Sequence, residues 1–296
     1  MGAGGKIQNH VPQDQTQQTE AELLSAFAAR RSEEAFSELI RRHMPMVFGV
    51  CQRVLEDTHA AQDAAQAVFL ALARKAGSLG RERALGGWLH HVALCTARNE
   101  RTARERRLRR EQEATAMNHD ANHEATPESS AALRESLDRE LDSLPAKYRL
   151  PLVMVHLEGR SMEETAAALK CKDGTLRVWL SRACEKLRAR LSRRGASVSV
   201  ATIVAWLASQ AGTASAAVPS GLAAATAKSA VLWVTGGAAA SIAPNIILAT
   251  QATLKAMFIS KLKTAALITS TIAMLTTASA VSWKHAYPVD TSDRYR

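Results

Sequence analysis

Residues 161–191 read SMEETAAALKCKDGTLRVWLSRACEKLRARL and carry the pattern that decides the fold. Ser161 and Glu164 have the spacing of a capping box, in which each side chain satisfies a backbone donor of the other. A tight turn over 170–174 separates this short helix from a longer one beginning at Thr175. One apolar face runs along the longer helix at three- and four-residue spacing. Its members are Leu176, Leu180, Ala183, Leu187 and Leu191.

This layout predicts a helix-turn-helix, whose second helix enters the major groove of DNA. The polar residues Arg177, Ser181, Arg182 and Arg188 point away from the apolar face. An arginine in the groove can bond O6 and N7 of guanine together, which discriminates roughly 1–3 kcal/mol per base. The alternative is an ordinary helical hairpin with a solvated basic face.

The segment from Glu20 to about Arg110 is also helical in pattern, with apolar residues three and four apart. We expect Pro45 to bend or divide its second helix. Asp57 and Thr58 can cap a third helix that stops at Gly77. No run of alternating β-branched residues occurs over 1–195, so the fold class predicted is all-α.

A basic cluster over 98–110 carries seven arginines and two glutamates, a local charge of +5. It continues a helix that bears Trp88, His90 and His91. Cations beside aromatic rings suit phosphate contacts and base stacking on opened strands. The alternative is a solvated helix end whose cations complement the helix dipole.

The net charge of +10 over 296 residues is unevenly spread. No Asp or Glu occurs over 186–289, which holds ten Lys and Arg, so the remainder of the chain is neutral. Residues 1–19 are polar and expected to be disordered, and 114–132 form an acidic, flexible linker. The four cysteines show no C-x-x-C pair, which favours reduced thiols in the cytoplasm.

An Ala-rich extension follows over 195–263, and then 264–283 give twenty residues without Gly, Pro or charge. That length is enough to cross a hydrocarbon core as a helix. Lysines flank the stretch, so 264–283 is a candidate transmembrane helix, followed by a tail over 284–296. The alternative is a helix that packs on the extension or on the domains before it.

No catalytic or metal-binding site is indicated. His91 and Cys95 are four residues apart, as are His119 and His123, but neither pair has two further ligands at zinc spacing. We therefore expect no metal, no cofactor and no enzymatic activity.

Residues 20–113 and 134–194 resemble the two domains of sigma-70-type RNA polymerase sigma factors of the extracytoplasmic-function subfamily. The resemblance is carried by AFSELIRRHMPMVFGVCQRVLED, AAQDAAQAVFLALARKAGSL and GGWLHHVALCTARNERTARERR in the first part and by residues 141–191 in the second. It implies two small helical domains: a region-2-like segment over 20–113 and a helix-turn-helix region-4-like segment over 133–194, joined by the linker.

The resemblance also implies residue roles. The family's D-x-x-Q helix docks on the clamp coiled coil of the largest polymerase subunit, and here it offers Asp63, Gln66 and Leu70. The −10 promoter element would meet Trp88, His91, Asn99, Arg101 and Arg104. The −35 element would meet Thr175, Arg177, Val178, Trp179, Ser181 and Arg182. Ala67, Trp179 and Lys172-Asp173 depart from the family pattern, which leaves the promoter sequence open.

The sequence thus predicts an alternative sigma factor that binds core RNA polymerase, recognises promoter DNA and helps to melt it. An anti-sigma factor and a membrane, reached through 264–283, are further candidate partners. The protein would be cytoplasmic, with possible anchoring to the inner membrane. Two alternatives stay open: a membrane-anchored helix-turn-helix regulator that does not engage polymerase, and a membrane-associated helical adaptor that binds anionic lipid.

Overall fold

A computed structural model describes most of the chain, namely residues 18–79, 85–115, 129–195, 198–216, 218–236 and 243–255. Over these ranges the chain forms helices joined by turns and bends, as the all-α prediction requires. The predicted span over 264–283 and the tail over 284–296 lie outside the described residues, as do 1–17 and 116–128.

The helices are numbered in chain order. They are α1 (Glu20–Arg30), α2 (Glu33–Leu55), α3 (Thr58–Leu79), α4 (Leu85–Thr115), α5 (Ser129–Asp142), α6 (Ala146–Leu152), which continues as a π-helical turn (Val153–Leu157), α7 (Met162–Leu169), α8 (Asp173–Arg193), α9 (Val200–Ala216), α10 (Leu222–Thr235) and α11 (244–255).

The region-2-like segment is a bundle in which α2 lies against α1, α3 and α4. Its core includes a stacked pair, Phe27 on Phe36, with ring centroids 4.2 Å apart. Asp57 caps α3, because its Oδ1 accepts from the backbone N–H of Ala60 at 3.0 Å. These contacts position α3 and α4, the two helices on which sequence-predicted site residues lie.

Two helix boundaries in this bundle differ from the sequence predictions. Helix α2 runs unbroken past Pro45, so of the two predicted effects, bending or dividing the helix, division does not occur, because the packed neighbours outweigh one missing backbone donor. Helix α3 does not stop at Gly77 but ends at Leu79. Nothing lies within 4 Å of the place where a Cβ on Gly77 would stand, so this glycine serves no packing or turn requirement.

The region-4-like segment contains the predicted helix-turn-helix. Both bonds of the capping box are present, 3.1 Å from the Glu164 N–H to Ser161 Oγ and 3.0 Å for the reverse. Lys170 ends α7 in the left-handed conformation, with φ of 54°. The second helix starts at Asp173, two residues before the predicted start at Thr175, and its predicted apolar face is buried apart from the partly buried Leu180.

The segments do not stand apart as a flexible linker would allow. Helix α5 packs on α2 and α4, while α6 and the π-helical turn also contact α4. Helix α9 bridges α2, the π-helical turn and α8. The region-4-like segment is thus docked on the region-2-like segment.

The described part of the extension packs on the sigma-like domains. Helix α10 lies on α2 and α3, and α9 lies on α2. Buried residues of α9, α10 and α11 join the same hydrophobic core as the bundle. They include Ile203 and Leu207 on α9, Ala227 and Ala230 on α10, and Ile246 on α11. None of the helices in the described ranges is long and apolar enough to cross a bilayer.

Candidate nucleic-acid and polymerase interfaces

The predicted −35 residues lie along one open side of α8. Thr175, Arg177, Ser181 and Arg182 are exposed, and Val178 is 47% exposed although it is apolar. The buried side of α8 packs on α5 and α6 and fixes the orientation of this face. The side chains are therefore arranged to meet a partner along the length of the helix.

Trp179 is the exception on that face, since it is only partly exposed. The ammonium of Lys147, on α6, lies 5.2 Å from the centroid of its ring. A cation over an indole face is attracted by the ring quadrupole. The ring of Trp179 is therefore partly covered within the domain and partly open to solvent.

The predicted −10 residues lie on α4, and most of their polar groups are already bonded within the chain. His91 Nδ1 lies 2.7 Å from Asp142 Oδ2. Arg104 donates to Asp57 at 2.8 Å, and Arg101 donates to Glu135 through both terminal nitrogens. Asn99 is exposed, and Trp88 is partly buried against the core.

The acids on α5 that meet this basic side share one helix face. Glu135, Asp138 and Asp142 are three and four residues apart, which places them on one side of a helix. This spacing is visible in the sequence and indicates a face complementary to the basic helix. Carboxylates of the region-4-like segment thus occupy positions on α4 where an anion can bind.

Asp138 is the centre of this contact and is fully buried. Arg53 of α2 donates to both of its oxygens, at 2.8 and 2.9 Å, and His90 Nε2 lies 3.5 Å away. Burial alone would raise the pKa of Asp138, but the Arg53 guanidinium and His90 lower it to about 2. Neither Arg53 nor Asp138 was singled out from the sequence.

A second buried cluster joins α1, α2 and the chain after the π-helical turn. His43 Nε2 lies 3.4 Å from Glu20 Oε1, and its Nδ1 lies 3.2 Å from Glu158 Oε1. Arg160 pairs with both carboxylates. Burial disfavours a charged imidazole, but the carboxylates of Glu158 and Glu20 raise the pKa of His43 to about 9.

These three acid and imidazole groups lie close enough together to invite a metal-site interpretation. The geometry favours an ion-pair network instead, because the Arg160 guanidinium already pairs with both carboxylates that a metal ion would need. Two cations, His43 and Arg160, balance the carboxylates of Glu20 and Glu158. The cluster is therefore a structural contact between the segments.

The start of α4 is also covered by the region-4-like segment. A Cβ on Gly86 would overlap the carboxylate of Glu158, and one on Gly87 would overlap the side chain of Leu150. A side chain at either position would force Glu158 or Leu150 to shift. The backbone beside Trp88 is thereby covered.

The predicted polymerase-docking residues lie on α3 beneath the extension. The Asn245 side-chain amide donates to Asp63 Oδ2 at 2.6 Å, and Gln66 is partly exposed. Leu70, expected on an open face, is 0% exposed. It lies in the core that α3 shares with α10. Nothing in the D-x-x-Q pattern indicates that another part of the chain covers Leu70.

Family comparisons agree with this architecture. The family model described as Sigma-70 region 2 matches residues 39–107. The one described as Sigma-70, region 4 matches residues 134–187. The chain is 32% identical over 182 residues to the ECF RNA polymerase sigma factor SigM of Mycobacterium tuberculosis, covering 60% of this chain and 85% of that protein.

Two further matches cover a similar share of this chain. The RNA polymerase sigma-H factor of Pseudomonas aeruginosa is 29% identical over 182 residues, covering 58% of this chain and 93% of that protein. A co-crystal structure of the sigma factor RpoE with the anti-sigma factor NepR from Bartonella quintana shares 23% identity, with a TM-score of 0.25. It covers 54% of this chain and 98% of that one.

The chain belongs to the sigma-70 family of RNA polymerase sigma factors, in its extracytoplasmic-function subfamily. The two family-model matches follow one another along the chain in the order of the two predicted segments. The second match ends at residue 187, before the extension begins.

Proposed function

We propose that this protein is an alternative sigma factor that binds core RNA polymerase, brings it to promoters and helps to open the DNA at the −10 element. The observation that carries the proposal is the exposed basic side of α8, presented by a helix-turn-helix inside the region-4 match. Such a helix reads base edges in the major groove. The protein itself performs no chemistry in this role, since polymerase forms the phosphodiester bonds.

Three residue groups divide the work in this proposal. The α8 residues that read the −35 element are Thr175, Arg177, Val178, Trp179, Ser181 and Arg182. On α4, Trp88, His91, Asn99, Arg101 and Arg104 receive the −10 element. On α3, Asp63, Gln66 and Leu70 dock on the clamp coiled coil of the largest polymerase subunit. The domain bounds 20–113 and 133–194 belong to the same proposal.

The contacts on α4 support an anion-binding role for that helix. With the region-4-like segment docked on α4, the Glu135 carboxylate bonds Arg101 and the Asp142 carboxylate bonds His91. A phosphate offers oxygen acceptors of the same charge and can take the same donors. Promoter DNA would therefore replace these carboxylates once the region-4-like segment moves away.

The proposed membrane helix over 264–283 is supported by its sequence alone. If 264–283 spans the inner membrane, the sigma-like domains face the cytoplasm, in keeping with the lysines before the span. Fractionation of cells that produce the full chain tests this: recovery with membranes after a high-salt wash is expected, and recovery only in the soluble fraction would remove the anchor. An anti-sigma factor is a further proposed partner.

Co-elution with purified core RNA polymerase tests the proposed function. We expect the full chain to form a complex with core and to shift binding toward promoter-bearing genomic fragments. Arg182→Ala should keep the complex but lose the fragment selectivity, because it removes one base-reading side chain. A chain that never binds core, under any of the conditions described below, would exclude the proposal and favour a regulator that acts without polymerase.

A further inference from the structure

We propose that the C-terminal extension is an intramolecular competitor of core RNA polymerase: α10 and α11 occupy the docking face of α3 and must leave before polymerase can bind. This inference rests on the proposed function, because it takes the Asp63 side of α3 as the polymerase-docking face. It assigns a partner to a surface, and that partner is part of the same chain.

Contacts from the extension follow a single stripe of α3. Asn245 donates to the Asp63 carboxylate at 2.6 Å, and Thr250 Oγ1 lies 3.4 Å from the backbone oxygen of Ala67. Farther along, the Arg74 guanidinium lies 5.4 Å from the Trp233 ring centroid. Positions 63, 67 and 74 are four and seven residues apart, which places them on one helix face.

Gln66 and Leu70 lie within that stripe, between the contacted positions. Leu70 is three residues beyond Ala67 and four before Arg74, so it lies under the same cover. Its complete burial agrees with that position. Every residue predicted to dock polymerase thus lies on the side of α3 that faces the extension.

Helix α3 is apolar on more sides than a surface helix needs. The face toward the bundle includes Ala65, Val68, Phe69 and Leu72, all 0% exposed. The opposite stripe is also buried, with Ala67, Leu70 and Ala71 at 0%. A surface helix usually shows one apolar stripe toward its core. A second buried stripe needs a second partner, and in this structure the extension supplies it.

The chemistry at Asp63 suits a contact that can be displaced. Burial raises the pKa of Asp63, and the Asn245 amide only partly offsets this effect. An amide is a neutral donor, whereas a lysine or arginine from another protein would form a charge-assisted bond of roughly twice the strength. A basic partner side chain would therefore gain more from Asp63 than the extension does.

The extension also approaches the predicted −10 face. Thr253 Oγ1 lies 2.8 Å from Thr96 Oγ1 on α4. A cavity of about 440 Å³ lies between α3, α4 and α11, and its wall includes Asn99 and Arg104. Helix α11 thus spans the border between the polymerase-docking stripe and the −10 residues. Its release would free both.

A matched pair of substitutions on α10 tests the competition in the full chain. Ala230 is 0% exposed against the bundle, whereas Ala224 is exposed on the same helix. Ala230→Glu forces a carboxylate into the interface and should release the extension, while Ala224→Glu should leave it in place. Neither residue belongs to the proposed promoter or polymerase contacts.

The measurement is the dissociation constant for core RNA polymerase. The extension covers α3 in one form of the protein and has left it in the other. If the covered form makes up nine tenths or more of the molecules, Ala230→Glu should bind core at least about tenfold more tightly than the unaltered chain. Ala224→Glu should stay within about twofold of it. Equal affinity for all three proteins would overturn the competition and leave the proposed function intact.

If Ala230→Glu does not fold, a reversible disulfide lock between α4 and α11 tests the competition instead. Thr96→Cys with Thr253→Cys places two thiols where the hydroxyls now touch, in a Cys95→Ser background that removes a competing thiol. Oxidation should tie α11 to α4 and reduce core binding at least tenfold, and a reductant should restore it. Core binding that is the same before and after reduction would refute the inference.

The two proposals fail differently. If the reduced lock protein and the oxidised one both bind core equally, only the competition is wrong. If neither the unaltered chain, nor Ala230→Glu, nor the reduced lock protein binds core, the proposed function is wrong and the competition falls with it. Thr253→Cys alone, which cannot form the lock, controls for oxidation elsewhere in the chain.

Discussion

Asp138→Asn should destabilise the docked arrangement of the two sigma-like segments. The side chain keeps its size but loses the charge that Arg53 and His90 face in a fully buried site. The pKa of Asp138 lies at about 2 against an ordinary 3.8. That difference corresponds to about 2 kcal/mol of stabilisation at neutral pH, since each pKa unit is worth about 1.4 kcal/mol.

An independent magnitude comes from removing one partner of a buried ion pair, which costs about 3–5 kcal/mol. The amide of asparagine can still accept one hydrogen bond, so we expect a loss of about 2–3 kcal/mol at pH 7. Glu185→Gln, on an exposed position of α8, removes a charge without burial and should change stability by less than about 0.5 kcal/mol.

Urea denaturation followed by circular dichroism measures this difference. Because the folded pKa of Asp138 is depressed, its contribution is complete above pH 3.8 and is lost as the pH falls through about 2. The gap between the unaltered chain and Asp138→Asn should therefore be full at pH 6 and shrink toward pH 2. A loss below about 0.5 kcal/mol at pH 6, or a gap that does not narrow in acid, would refute this view of the contact.

Three further predictions concern other parts of the molecule. In the unaltered chain, stability from His43 is complete below pH 6.5 and declines as the pH rises through about 9. His43→Gln should flatten this decline, which amounts to about 3 kcal/mol in urea titrations, and an unchanged slope would contradict it. Gly86→Ala should cost about 1–3 kcal/mol by overlap with a carboxylate, whereas Gly77→Ala, with open space around it, should gain up to about 1 kcal/mol; equal thermal midpoints would oppose this. Arg182→Ala should reduce transcription from a cognate promoter about tenfold or more. Transcription from that promoter at the level of the unaltered chain would contradict this prediction.

The local elements of this fold were predictable because their signals are local. The capping box at Ser161 and the apolar spacing along α8 appear in the structure as the sequence implies. Two helices continue past residues that commonly interrupt a helix, α2 past Pro45 and α3 past Gly77. At Pro45 the packing of α2 on its neighbours outweighs one missing backbone donor, and at Gly77 the backbone cost of a single glycine is only about 1 kcal/mol.

The arrangement of the segments was less accessible to sequence reasoning. The basic surplus on α4 was visible, but its partner could only be found by reading the acids of α5 as one helix face. Helix α10 is buried through small residues such as Ala230, which fit any close helix contact and therefore indicate no particular partner. Sequence patterns identified the surfaces of the predicted site but not what occupies them.

The most direct measurement of the central claim is start-site mapping of transcripts made in vitro from genomic fragments by purified core polymerase, with and without this protein. The account predicts that addition of the full chain directs initiation to a limited set of sites sharing −10 and −35 elements, and that Ala230→Glu increases initiation at the same sites. Initiation that is the same with core alone, with the full chain and with Ala230→Glu would contradict it.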